Sequence, residues 1–172
     1  MKKKILITGV CGVVGSLLKE KLTKDGFDIF GCDLLHQLGE RGYIQKMSHE
    51  KPTYSRADIS NYRQIKRIFE DFGPFDIVYN CAAEFGRWNG EDYFEQLWNS
   101  NTIGLKNILQ LQNIYKFKLI HFSTSEVYGD LKEKVKENVM NKKEVQQLND
   151  YALSKWVNEI KIKNNNQINK KN

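Results

Sequence analysis

Short apolar runs alternate along this chain with longer stretches in which apolar residues recur three and four positions apart. Runs of the first kind read as buried strands and stretches of the second as amphipathic helices. The pattern predicts strands over residues 4–10, 27–33, 53–57, 75–82 and 117–123. It predicts helices over 13–25, 60–72 and 91–115, and a last helix starting near Asn149 or Asp150. Gly26 ends the first helix and Gly73-Pro74 the second. In the second helix Ile65, Ile68 and Phe69 share one face. Residues 34–52 are polar, with Gly39, Gly42 and Pro52, and read as a long loop; 84–90 reads as a shorter one, and 130–147 is a charged stretch. Strands alternating with helices predict an α/β fold, a doubly wound parallel sheet of about five strands with helices on both faces.

Composition narrows the class. With 172 residues, 40% of them apolar and 12% aromatic, the chain suits one domain with a proper core. We expect that domain over residues 1–160. Residues 161–172 hold five Asn and four Lys and are expected to be a disordered tail. No apolar stretch approaches the roughly 20 residues that span a membrane. The opening Met1-Lys2-Lys3-Lys4 and its apolar run imitate a secretory signal. The glycines, the missing small-residue cleavage site and the charged Lys19-Glu20-Lys21 argue against one. Net charge is +6, but Lys161, Lys163, Lys170 and Lys171 supply most of it. The body is nearly balanced and shows no basic face with interleaved aromatics, so neither nucleic acid nor membrane is an expected partner. Cys11, Cys32 and Cys81 have no metal-ligand spacing and read as buried thiols in a reducing cytoplasm.

Candidate chemistry gathers at strand ends. After the first strand stands Gly9-Val10-Cys11-Gly12-Val13-Val14-Gly15. Such spacing suits a tight turn, a close approach of phosphate to the backbone, and close helix packing, with the helix N-terminus facing the anion. Three glycines also make an ordinary strand-to-helix turn, so the remaining strand ends must decide. Asp33 ends the second strand, where a carboxylate can bind both hydroxyls of an adenosine ribose and repel a 2′-phosphate. The residues after it, Leu34-Leu35-His36, include no Lys or Arg, so the expected cofactor is NAD rather than NADP. Asp58-Ile59 ends the third strand and either cradles an adenine or caps a helix. Cys81-Ala82-Ala83 after the fourth strand are small enough to pass under a flat cofactor. Ser123-Thr124-Ser125-Glu126-Val127-Tyr128-Gly129 ends the fifth strand with hydroxyls and an acid that suit substrate oxygens and proton relay. Tyr151 and Lys155 lie four apart on one helix face. A Tyr acting as base near neutral pH needs its pKa lowered by about 3 units, which a neighbouring ammonium promotes.

Taken in order, the glycine turn, Asp33, Asp58, Ala82-Ala83, Asn101-x-x-Gly104, the Ser123–Gly129 segment and Tyr151-x-x-x-Lys155 resemble the extended short-chain dehydrogenase/reductase family. More narrowly they resemble its NAD-dependent epimerase/dehydratases of nucleotide sugars, over residues 2–160. The resemblance implies a Rossmann fold holding NAD, with cofactor contacts from Gly9, Cys11, Gly12, Val13, Gly15, Asp33, Asp58, Ile59, Cys81, Ala82, Ala83, Tyr151 and Lys155. By it, Tyr151 deprotonates a sugar hydroxyl, Lys155 binds the nicotinamide ribose and lowers the Tyr pKa, and Glu126 is an acid/base. Thr124, Ser125, Glu126 and Asn101 are then the substrate-side residues. It also implies a homodimer paired through the long helix and the Tyr-Lys helix. The segment from Ser123 is similar to that of UDP-glucuronate decarboxylases, whereas sugar 4,6-dehydratases usually carry Asp in place of Ser125. Family members continue after the Tyr-Lys helix into a substrate domain. This chain is therefore expected to be C-terminally truncated and to lack that domain, with an open edge on the fifth strand. The competing reading is a truncated, non-catalytic NAD-binding fragment of such an enzyme.

Overall fold

The computed structural model describes residues 2–35, 53–85, 93–132 and 134–169. Most of the long loop expected over 34–52, most of the loop over 84–90 and the first residues of the helix expected from 91 lie outside them. The described chain forms two compact units: Met1–Ala83 with Ile103–Phe122, and Glu84–Thr102 with Ser123–Asn172.

The first unit is built on five parallel strands. They are β1 (Lys4–Thr8), β2 (Asp28–Asp33), β3 (Tyr54–Arg56), β4 (Ile77–Asn80) and β5 (Lys118–His121). Their spatial order is β3-β2-β1-β4-β5. Ile5, Leu6, Ile7 and Thr8 are all buried, as expected of a central strand covered on both faces. Helix α1 (Val13–Lys24) supplies Leu18 and Leu22 to one face of the sheet, packed on Ile5, Ile7 and Ile29. Helices α2 (Tyr62–Phe72) and α4 (Gly104–Tyr115) cover the other face, with Ile65, Ile68, Phe69, Ile108 and Leu111 against Leu6, Phe30 and Val78. Strand order reverses at β1, so the chain leaves the carboxyl ends of β1 and β4 in opposite directions. A crevice opens between the two strand ends there. Helix α2 starts at Tyr62 rather than Ser60, because Asn61 is its cap and accepts the Gln64 N–H at 3.3 Å.

The expected long helix runs without a gap from Phe94 to Tyr115 but is not α-helical throughout. Helix α3 (Phe94–Trp98) passes into a π-helical turn (Asn99–Ile103), which buries Asn101 and Thr102. Two 3₁₀ turns follow, Ser125–Tyr128 and Val139–Asn141, and then α5 (Asp150–Asn169). The start of α5 is capped by Asn149, whose side chain accepts the Ala152 N–H at 2.7 Å. The helix runs on into the Lys/Asn-rich segment expected to fray. An existing helix adds residues at little cost, and Lys161 reaches the Thr102 carbonyl at 3.3 Å. Among the described residues no helix is long and apolar enough to cross a membrane.

Candidate functional site

Each of the three turn glycines meets a different surrounding. Gly9 has φ +67°, and a Cβ there would stand 2.6 Å from the Ala82 nitrogen. It is glycine because the chain turns left-handed and because the end of β4 presses on it. At Gly15 a Cβ would stand 2.2 Å from the Gly9 carbonyl oxygen, so this glycine lets α1 seat on the turn. At Gly12 a Cβ would meet only the Gly9 oxygen, at 3.3 Å. The protein itself hardly needs glycine there, whereas a group approaching the backbone from outside does. Gly12 also caps α1 with no side-chain hydrogen bond, and the first helical turn holds no acid. The N–H groups that open a helix have no partner within it, and they favour an anion. The arrangement fits a pyrophosphate. Val13 is 78% exposed beside this backbone.

Asp33 serves the turn before it serves any ligand. One carboxylate oxygen accepts the Cys11 N–H at 2.9 Å and the other the Leu35 N–H at 3.1 Å. Each oxygen keeps a lone pair for a hydroxyl. Asp58 does not cap α2; it accepts the Ser60 N–H at 2.8 Å and closes the turn before the helix. The expectation that Ile59 lines the adenine is not met by its side chain, which is buried in the core with Ala57 and Ile65. Its carbonyl accepts from Asn107 Nδ2 at 2.9 Å. Gly104 is explained by the same residue, since a Cβ there would stand 2.5 Å from the Ile59 side chain. At the ends of β1 and β4, Thr8 Oγ1 donates to Asn80 Oδ1 at 2.6 Å and accepts the Ala82 N–H at 3.3 Å. This places the Cys81-Ala82-Ala83 backbone directly against the glycine turn.

The other candidates belong to the second unit. Thr124 accepts the Glu126 N–H at 3.3 Å and hydrogen-bonds Tyr151. Ser125 is exposed at the start of the first 3₁₀ turn. Glu126 accepts from Asn149 Nδ2 at 2.9 Å, just before α5. Tyr151 is half-buried and Lys155 buried one turn on, its ammonium 5.8 Å from the phenol ring centroid. Burial, then the Glu126 charge, push the Tyr151 phenol above its ordinary value, against the Thr124 hydrogen bond. The expected lowering is therefore not met by the net direction in this chain: a half-buried phenol beside a carboxylate resists becoming an anion. Asn101 is 2% exposed. It grips the Glu84 backbone, accepting its N–H at 2.8 Å and donating to its carbonyl at 3.2 Å. Asn101 Nδ2 also donates to Ser154 Oγ at 2.9 Å, and Ser154 Oγ donates to the Tyr151 carbonyl at 2.8 Å. Asn101 thus frames the site and does not present a free amide to a substrate.

Sequence reasoning missed three residues here, Tyr54, Arg56 and Ser154, and the hydrogen bonds of Asn80. Tyr54 donates to the Leu35 carbonyl and lies 3.9 Å from the Cys11 thiol. Arg56 stands opposite Asp33 in the β2–β3 register and donates to the Leu34 carbonyl at 2.8 Å. Asn80 and Ser154 complete the networks described above. Only register and packing assemble these contacts.

Residues 5–169 match the model of the NAD dependent epimerase/dehydratase family. Protein CapI of Staphylococcus aureus is 33% identical over 132 residues, covering 73% of this chain and 39% of that protein. A UDP-N-acetyl-alpha-D-glucosaminuronate decarboxylase of Bacillus cytotoxicus is 33% identical over 129 residues, covering 75% of this chain and 39% of that one. The chain thus spans well under half the length of these curated relatives. In fold it is similar to the UDP-glucose 4-epimerase of Thermus thermophilus solved with NAD. That likeness has a TM-score of 0.77 at 24% identity, over 95% of this chain and 51% of the other.

Proposed function

This chain belongs to the NAD-dependent epimerase/dehydratase family, and on that premise we propose that it binds NAD and oxidises a hydroxyl of a nucleotide-linked sugar. The observation that carries the reading is the Tyr151 cluster. A half-buried phenol is hydrogen-bonded by Thr124 and followed one helical turn later by the buried Lys155. The open N–H groups at the start of α1 receive the pyrophosphate, and Asp33 receives the adenosine ribose hydroxyls. NAD, when bound, supplies a hydride acceptor. Tyr151 takes the proton of the sugar hydroxyl, with the Lys155 ammonium favouring the resulting phenolate. Thr124 holds the sugar oxygen. Glu126, tethered by Asn149, is the acid/base for the step that follows oxidation, whether epimerisation, dehydration or decarboxylation. Ser125, standing where sugar 4,6-dehydratases usually carry Asp, favours an outcome other than dehydration.

The test combines binding and turnover. NAD is expected to raise the melting temperature, and Asp33→Ala to abolish most of that rise. With NAD and UDP-sugars, the protein is expected to produce NADH absorbance or a new sugar nucleotide, and Tyr151→Phe neither. No stabilisation by NAD in the parent protein, or equal turnover by Tyr151→Phe, would overturn the proposal. Stabilisation without turnover would favour NAD binding alone. Pairing of two copies through the long helix and α5 is part of the same proposal and is read from the mass in solution.

A further inference from the structure

The ring of Phe85 meets the Tyr151 ring edge-on, with centroids 5.6 Å apart and planes at 68°. Phe85 is 53% exposed, yet its backbone neighbour is fixed. Glu84 is held through both its N–H and its carbonyl by the buried Asn101 side chain. The same Asn101 side chain bonds Ser154 Oγ, which bonds the Tyr151 carbonyl. One buried amide therefore fixes the backbone on both sides of the aromatic contact. Edge-to-face pairs at this separation are attractive beyond the area they bury. A large apolar ring against a phenol also removes water that would solvate the phenolate.

We propose that Phe85 is a positioning residue for Tyr151: clamped through Glu84 by Asn101, its ring holds the phenol ring in one orientation and shields one side of it from water. The proposal rests on the reading of Tyr151 as the base only for its consequence in catalysis, since the contact exists without any ligand. The groups that act on the phenol from the surrounding elements are Glu126 and Thr124 on and before the first 3₁₀ turn and Lys155 on α5. None of these is altered by changing Phe85.

Tyrosine labelled with ¹³C at Cζ reports each phenol's ionisation, and Tyr151→Phe identifies the Tyr151 resonance. In the parent chain Tyr151 is expected to ionise above the ordinary value of about 10. Phe85→Ala is expected to bring that titration back toward about 10 and to broaden or shift the Tyr151 ring signals. Phe85→Trp, which restores an aromatic ring, is expected to return it to the parent position. A merely structural role would lower the melting temperature and leave the Tyr151 titration unmoved. Titration of Phe85→Ala together with the parent, with the chain folded, would overturn the proposal; so would a failure of Phe85→Trp to restore it. The titration needs neither NAD nor substrate, so a failed base assignment, read from turnover by Tyr151→Phe, is distinguishable from a failed brace.

Discussion

Cys32 is a thiol sealed in the core with no exposed surface, and burial pushes its pKa strongly upward, with Asp33 adding to the effect. The sign of the consequence follows. Below about 8.5 both folded and unfolded chains keep the proton, so the contribution is whole. As pH rises above that value the unfolded chain sheds a proton the folded chain must retain, and stability falls. Denaturant midpoints measured from neutral to alkaline pH are expected to decline, and Cys32→Ala to decline less steeply. The raised phenol of Tyr151 acts in the same direction from about 10 upward. Asn101→Ala is a loss of a different kind. It leaves the Glu84 N–H and carbonyl without their side-chain partner and removes the donor to Ser154 Oγ, which costs about 2–3 kcal/mol, to be measured by chemical denaturation. At this scale Asp33 was legible, because an acid ending the second strand has a simple meaning beside a glycine turn. Its bonds to the Cys11 and Leu35 amides were not, since neither leaves a trace in composition.

The strand-to-helix turn around Gly12 separates steric from ligand-imposed glycines. Gly15→Ala drives a Cβ to within 2.2 Å of a carbonyl that cannot move without moving Gly9. The expected loss is about 2–3 kcal/mol. Gly12→Ala meets nothing closer than 3.3 Å. Its melting temperature is expected to stay near that of the parent, while its stabilisation by NAD is reduced or lost. Equal NAD binding by Gly12→Ala and the parent would remove the phosphate-cradle argument. The elements themselves were largely legible: α1 starts at Val13 as expected and β2 ends at Asp33. The π-helical turn in the long helix was not. It buries Asn101 and Thr102, and an apolar period of three and four looks the same on either side of it.

Across the whole molecule, the glycine turn, Asp33, Asp58 and the Cys81-Ala82-Ala83 segment fall in one compact unit and the Thr124, Glu126, Tyr151 and Lys155 set in the other. ADP carries the pyrophosphate and adenosine but no nicotinamide. It is expected to shift the amide resonances of residues 9–15 and 33–35. No shift at residues 9–15 or 33–35 would contradict the placement of the pyrophosphate and ribose on this unit.

From the sequence alone came the alternation of strand and helix, the parallel sheet, the glycine turn with its acid, and the Tyr-Lys pair. These are local patterns, set by backbone geometry and by spacing along one strand or helix. Tertiary structure alone decided that Ile59 is core, that Asn61 rather than Asp58 caps α2, that Asn101 clamps Glu84, and that Phe85 lies on Tyr151. Apart from the cap, which turns on local geometry between Asn61 and Gln64, those outcomes depend on which side chains meet across tens of residues of chain. There, volume and the pairing of buried polar groups choose among contacts that the order of residues leaves equally open.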